Sequence, residues 1–386
     1  VTEQRRSVLG AVVSRVLRQR RANVHPVDDA PAPRLGYVVL GAAGVHPGSA
    51  HIRVTRRVNR EVVAGRMSAE QIDPSAVAAG EKGLPYDVVL VQRDAVPASA
   101  SALFLQAVRA SGARLVAEVD DDFFSVDARR RLVRAEYDEA RIDSVEAVVR
   151  AADAVIVSTE ALARVVRQFA SEVVVVPNEL DPEFWGGEPG PTSPREPWTG
   201  GRPDADGRVH ALYMGSATHQ DDLELLRPVF DGLATKDGRP VVLDVVGVTG
   251  GDPGWFERVD IPEGHHPEFV RWLRGESGRW SVGLAPLADD PFNTSKSDLK
   301  FLEYTMLGLP TVASRSTSYA TVPDHGGRTA SSTDDWRRAI LAAVDEGPSE
   351  AAASYVSGHR LLGCSTTWAD VLRRGRTARP SSPPAC

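Results

Sequence analysis

Basic side chains in this 386-residue chain are almost all arginine. The only lysines are Lys82, Lys236, Lys296 and Lys300, and the last two sit four residues apart in the segment PFNTSKSDLKFLEYTMLGLP, residues 291–310. Ser295 followed by Asp298 resembles a capping box, so the spacing predicts a helix that opens near Lys296 and is ended by Gly308 and Pro310. At 3.6 residues per turn, Lys296, Lys300 and Glu303 share one narrow face, and Leu299, Leu302 and Met306 share a second, core-facing one. A helix start carries partial positive charge and unpaired N–H groups, so a lysine there is unfavourable by about a few tenths of a kcal/mol until an anion reverses the sign. Backbone N–H groups, helix dipole and ammonium groups would then act together, and a diphosphate is the natural ligand. Glu303, one turn deeper, can accept from the two vicinal hydroxyls of a ribose. The same residues also fit an ordinary solvated Lys–Glu pair, so the spacing leaves both readings open.

These residues need elements to hold them. The apolar runs 36–40, 87–91, 114–119, 154–157 and 173–176 are Val-rich and continuous, as buried parallel strands are. Helical patterns over 98–110, 144–152 and 160–169 separate them, a βαβ rhythm that predicts a doubly wound sheet. The Pro- and Gly-rich stretch after Trp185 reads as a linker. The rhythm then restarts, with strands expected at 210–214, 241–246, 281–285 and 311–313 and helices at 221–233, 267–274, 299–307 and 334–345. The organisation expected is a basic amphipathic extension (1–35), a first Rossmann-like α/β domain (36–185), the linker (186–207), a second α/β domain (208–360), a C-terminal helix (361–375) and a disordered tail (376–386). Two open α/β sheets place a cleft between them, and ligands bind outside the carboxyl ends of the strands.

The composition, 42% hydrophobic and 25% charged with a net charge of −7, is that of a globular protein and offers no basic surplus for nucleic acid. Two cysteines, Cys364 and Cys386, make neither a disulfide framework nor a zinc site, so a reducing cytoplasm is expected. Neither a membrane span nor a signal peptide is expected. Residues 1–24 form an amphipathic basic pattern, with Val8, Leu9, Val12, Val13, Val16 and Leu17 on one face. This is compatible with peripheral contact on the inner membrane face and equally with packing on the chain's own domain.

The stretch KFLEYTMLGLPTVAS, residues 300–314, resembles the donor-binding segment of GT-B glycosyltransferases, nearest the retaining kind grouped as family 4. The strand and glycine turn LYMGSATH, residues 212–219, and the run from Ala152 to Ser158 with Val176-Pro-Asn178-Glu-Leu-Asp181 resemble the opening of the second domain and the end of the first in those enzymes. The resemblance spans roughly residues 36–375 in the right order. It implies a GT-B fold, two Rossmann-like α/β domains facing each other across a cleft. It also implies a hexosyl- or glycosyltransferase (EC 2.4 class) that moves a sugar from a nucleotide-sugar, with retention, to a glycan, lipid-linked or small-molecule acceptor. No cofactor and no metal are implied. Lys296 and Lys300 would stabilise the leaving diphosphate, and Gly215, Ser216, Thr218, His219, Ser297, Asp298, Leu299 and Glu303 would complete the donor site. Where the family pattern has an acidic residue eight positions before the glutamate, this chain has Ser295, which points to a variant active site.

Residues at the first domain's strand ends are acceptor-side candidates: Ser49, His51 and Arg53 after the first strand, Arg93 after the next, and Asp120 and Asp122 in the run EVDDD. Arg53 fits an anion clamp, and as well a helix-start arginine in solvent. Asp120-x-Asp122 is also the pattern by which GT-A transferases hold a metal, so a metal-dependent GT-A-like enzyme is one alternative. A nucleotide-sugar-binding GT-B protein without turnover is the other. No dinucleotide fingerprint, P-loop or nucleophile elbow is present.

Overall fold

A computed structural model describes residues 32–41, 46–186, 203–215, 219–247, 254–262 and 265–374. The basic pattern over 1–24, most of the linker, the tail from 376 with Cys386, and Ser216 and Thr218 lie outside the described residues. Everything below belongs to the unit Pro33–Cys386.

Among the described residues, twelve strands form two six-stranded sheets. The first contains β1 (Arg34–Val38), β2 (Ser68–Gln71), β3 (Val88–Gln92), β4 (Arg114–Val119), β5 (Ala154–Val157) and β6 (Val173–Val175), in the order β2-β1-β3-β4-β5-β6. The second contains β7 (Val209–Met214), β8 (Val241–Val246), β9 (Glu257–Val259), β10 (Val282–Ala285), β11 (Thr311–Ser314) and β12 (Arg328–Ala330), in the order β12-β11-β10-β7-β8-β9. Every pairing is parallel. β3, β4, β5, β7 and β10 are buried at every residue, which requires helices on both faces and explains their unbroken apolar character. In each sheet the direction of winding reverses once, between β1 and β3 and between β7 and β10. A crevice opens at such a switch point, and there Arg93 follows β3 and Gly215 follows β7.

Three strands were not expected from the pattern: β2, β9 and β12 are edge strands of three or four residues with polar positions. Helices Arg56–Val63, Val126–Arg134 and Glu350–His359 were likewise not expected. The single helix expected over 221–233 is two, Gln220–Glu224 and Arg227–Phe230, with Pro228 in the first turn of the second.

The chain returns to its first half at the end. Trp368, Val371 and Leu372 of the helix Thr367–Arg373 pack with Leu35, Val54 and Val88 in one core, and Arg114 Nη1 donates to the Val371 carbonyl. Phe292, from the second half, packs in the other first-domain core with Phe123, Phe124 and Leu132. These crossings tie the cleft walls together. No helix among the described residues is long and apolar enough to cross a membrane.

Candidate functional site

The helix at the head of the second domain's cleft wall is Leu299–Met306, with Asp298 at its N-cap. It starts three residues later than the capping pattern predicts, because the expected pair does other work. Asp290 caps the preceding short helix Pro291–Thr294 by accepting from Asn293 N at 2.8 Å, and Lys296 N donates to Asn293 O. The Asp298 carboxylate is held bidentately by Arg360, at 2.6 and 2.7 Å. Lys296 and Ser297 therefore lie in a turn before the helix, so Lys296 does not share a helical face with Lys300 and Glu303, and Asp298 is not free for a ligand.

Tyr304 anchors this helix beneath the strand ends. Its hydroxyl accepts from Met214 N at 3.1 Å and donates to Leu284 O at 2.9 Å, joining β7 and β10 at the switch point. Gly283 makes room for the ring: a Cβ there would meet Tyr304 at 2.3 Å. Lys300 and Glu303 thus project from a fixed element. Among the described residues the Lys300 ammonium has no hydrogen bond or ion pair, and it lies 5.6 Å from the centre of the Tyr213 ring. Burial pushes its pKa down to about 8; Asp222, Glu303 and Asp121 oppose that, and Lys296 adds to it. Burial pushes the Glu303 carboxyl up to about 7, with Lys300 as the opposing charge. First-turn N–H groups of a helix lie outside its own hydrogen-bond ladder. An ammonium with a lowered pKa, a carboxyl with a raised one and the N–H groups of Leu299 and Lys300 at the helix start (those of Phe301 and Leu302 donate to the Asp298 carbonyl) together form a site that an anion with hydroxyls would satisfy.

His219 and Asp222 form the floor. His219 Nδ1 lies 2.7 Å from Asp222 Oδ2, and burial with Lys300 nearby lowers its pKa to about 4, against the pull of Asp222. Asp222, fully buried, also accepts from Ala288 N and Asn293 Nδ2 at 2.8 and 2.7 Å. His219 is therefore a neutral, oriented imidazole beside Lys300. Gly215 N donates to Val246 O, extending the β7–β8 ladder to the end of β7.

The first domain supplies the opposite wall. Lys296 Nζ lies 2.5 Å from Asp121 Oδ1 across the cleft and 4.4 Å from the Phe292 ring centre. Asn178 donates to Ser297 Oγ at 2.7 Å, and Thr159 donates to the Ser295 carbonyl at 2.9 Å. Arg131 pairs with Asp290 and lies 3.4 Å from Asp222. Arg93 Nη1 approaches Asp120 and Asp121 at 3.3 and 3.4 Å, from a backbone with φ of 45°, uncommon for any residue but glycine. Burial works against ionisation of Asp121, but Lys296 and Arg93 outweigh it and hold the carboxyl well below its usual range. Burial pushes Asp120 up, with Arg93 opposing and Asp121 adding to the rise.

Several expected site residues do other jobs. Arg53 is no anion clamp: it is 1% exposed, its Nε meets Glu118 at 2.6 Å, and Nη1 donates to Val176 O and Asn178 Oδ1, both at 2.8 Å. That network orients Asn178 toward Ser297. His51 is buried and stacks on His266 of the second domain, ring centres 5.5 Å apart, with His46 and His265 flanking. The Ser49 carbonyl accepts from Gln92. Asp122 spends both oxygens on the turn that follows it, accepting from Phe124 N, Ser125 N and Ser125 Oγ at 2.8, 3.0 and 2.6 Å. The Asp120-x-Asp122 metal reading therefore fails on this carboxylate. Ser295 is 2% exposed, so the position that lacks an acid is not an open part of the wall. No spacing in the sequence marks Asp121, Asn178, Arg131, Asp222 or Arg360 as site residues. Asp121 stands between two acceptor-side candidates, and an acidic triplet alone gives no means of ranking its members. A further cluster, His210, Asp244 and Glu257, brings three candidate metal-ligand atoms together at the opposite ends of the strands. There Arg208, Arg279 and Trp280 already occupy the carboxylates.

Two parallel, doubly wound six-stranded sheets facing each other across such a cleft define the GT-B fold, and the chain has it. This also removes the GT-A-like alternative. Solved structures similar to this chain include an alpha-glucosyltransferase in complex with UDP-glucose and DNA containing an abasic site (TM-score 0.58, 11% identity, 88% of this chain and 98% of that one). Others are Anabaena Alr3699/HepE in complex with UDP (TM-score 0.55, 12% identity, 88% and 99%) and WaaG, a glycosyltransferase involved in lipopolysaccharide biosynthesis (TM-score 0.51, 12% identity, 89% and 100%). At these identities the likeness is one of fold. No family profile matches the chain, and no curated protein matches it in sequence.

Proposed function

We propose that the chain is a glycosyltransferase whose nucleotide-sugar donor lies along the helix Leu299–Met306. The observation that carries this reading is the pair Lys300 and Glu303, a half-buried ammonium with no hydrogen bond or ion pair among the described residues, one turn from a half-buried carboxyl, at the head of a helix and at a switch point. Lys300 and the first-turn N–H groups take the diphosphate, and Glu303 takes the ribose hydroxyls. Charge grows on the diphosphate as the glycosidic bond breaks, so these groups bind the transition state more strongly than the ground state. Lys296 joins them once its pairing with Asp121 opens, and neutral His219 adds an oriented imidazole. Gly215, at the end of β7, carries no Cβ to hinder a phosphate approaching its backbone. The solved neighbours that hold UDP or UDP-glucose in this fold support a nucleotide-sugar as ligand.

Retention at the anomeric carbon and independence from metal are part of the proposal and rest on the resemblance of residues 300–314; the cationic groups named above would supply the charge compensation that a metal supplies elsewhere. Acceptors are drawn from glycans, lipid-linked glycans and small molecules, in a cytoplasmic setting. The test is donor hydrolysis and transfer by the purified protein with and without EDTA, with the product anomer read by NMR. Retained configuration and insensitivity to EDTA are expected. Binding without turnover in the presence of a cell extract would leave a nucleotide-sugar-binding protein instead.

A further inference from the structure

We propose that Asp121, from the first domain, is the residue that recognises the hydroxyl groups of the transferred sugar; the assignment rests on the nucleotide-sugar reading above. The order of side chains along the cleft carries it. Glu303 and Lys300 stand one turn apart on the helix, and Lys296 lies in the turn before it. With the ribose at Glu303 and the diphosphate at Lys300, the sugar extends beyond the diphosphate on the side away from Glu303. Lys296 and Asp121 meet there, at 2.5 Å.

A sugar presents hydroxyl groups that need acceptors. The second domain's turn offers an ammonium at Lys296, a Ser297 hydroxyl already bonded to Asn178, and Ser295 at 2% exposure. The acceptor must come from the facing wall. Both Asp122 oxygens are consumed within their own turn, and Asp120, which also faces Arg93, has no hydrogen bond or ion pair to the second domain's turn among the described residues, where Asp121 reaches Lys296. Asp121 has Oδ1 on Lys296 and Oδ2 at 3.4 Å from Arg93, which leaves lone pairs on both oxygens, and its side chain remains 15% exposed. Arg93 is held for this purpose in left-handed backbone, with its N–H on Glu118 O at 2.7 Å.

The same geometry makes Asp121 a competitor of the diphosphate for Lys296. Removing the carboxylate should therefore release Lys296 to phosphate while depriving the sugar of its acceptor. The experiment compares wild type, Asp121→Asn and Asp121→Glu by calorimetry. The probes are UDP against UDP-glucose, ADP against ADP-glucose, GDP against GDP-mannose, and dTDP against dTDP-glucose. For the pair the wild type binds tightest, Asp121→Asn should weaken the nucleotide-sugar at least tenfold, as the loss of a hydrogen bond to a charged group predicts, and leave the free diphosphate unchanged or tighter. Asp121→Glu should recover part of the loss. Free-diphosphate binding also reports that each variant is folded. Equal weakening of both ligands, or no weakening of either, would overturn the role of Asp121 alone. Failure of the wild type to bind any of the eight probes would overturn the nucleotide-sugar reading and this assignment with it.

Discussion

Lys296 and Asp121, 175 residues apart in sequence and on different domains, meet at 2.5 Å across the cleft. Asn178 with Ser297, Thr159 with the Ser295 carbonyl, and Arg131 with Asp290 cross the same gap. The segment 290–297 is thus held from both sides. Because Lys296 is paired with Asp121, Lys300 is the lysine of this segment that the proposed diphosphate would meet without an ion pair to break.

The pH dependence of diphosphate binding follows. Lys300 loses its proton above about 8, and an anion favours the protonated form, so affinity should fall as pH rises past that value. Glu303 accepts hydroxyl hydrogen bonds best as a carboxylate and takes up a proton below about 7, so affinity should also fall on the acid side. Calorimetry from pH 6 to 9.5 should give a maximum between the two, and in Lys300→Arg the alkaline fall should disappear.

Asp122 is expected to act through stability. Asp122→Ala removes an acceptor from two backbone N–H groups and one hydroxyl, at a cost of about 1–3 kcal/mol. A lower Tm with unchanged nucleotide affinity and unchanged response to EDTA is the expected outcome. Loss of a manganese-dependent activity would place a metal there instead.

The histidine contact between domains should make the fold acid-sensitive. Burial lowers His51 and His266 to about 4, with His46, His265 and Arg56 adding to the effect on His51, and His51 and Arg56 to that on His266. Their folded pKa lies below the unfolded value of about 6.5, so the unfolded chain takes up protons first and stability falls as pH drops from 6.5 toward 4. Denaturant melts at pH 7.5 and 5.5 should show this loss, and His51→Asn should show a smaller one.

Much of this was legible in the sequence, and for identifiable reasons. Buried parallel strands such as VVLV in β3 and AVIV in β5 declare themselves because both faces are covered, whereas β2 and β12 are short, half-exposed edges without such a pattern. Lys300 and Glu303 were readable because helical spacing fixes their relation. Helical spacing does not extend to Lys296, because Asp298 pairs with Arg360, 62 residues away, and the helix opens only after it. Arg53 looked like a cleft cation because nothing local reveals Glu118 beneath it, 65 residues on. Long-range pairing decides these side chains, and spacing does not encode it.

The central claim is most directly tested by a thermal-shift titration of nucleotide-sugars against the wild type and Lys300→Ala, with Lys82→Ala, whose ammonium pairs with Glu70 at the surface, as control. The account predicts that at least one nucleotide-sugar raises the Tm of the wild type and of Lys82→Ala alike, and that Lys300→Ala needs roughly ten- to a hundredfold more ligand for the same shift. Equal shifts in Lys300→Ala and wild type, or none with any nucleotide-sugar, would contradict it.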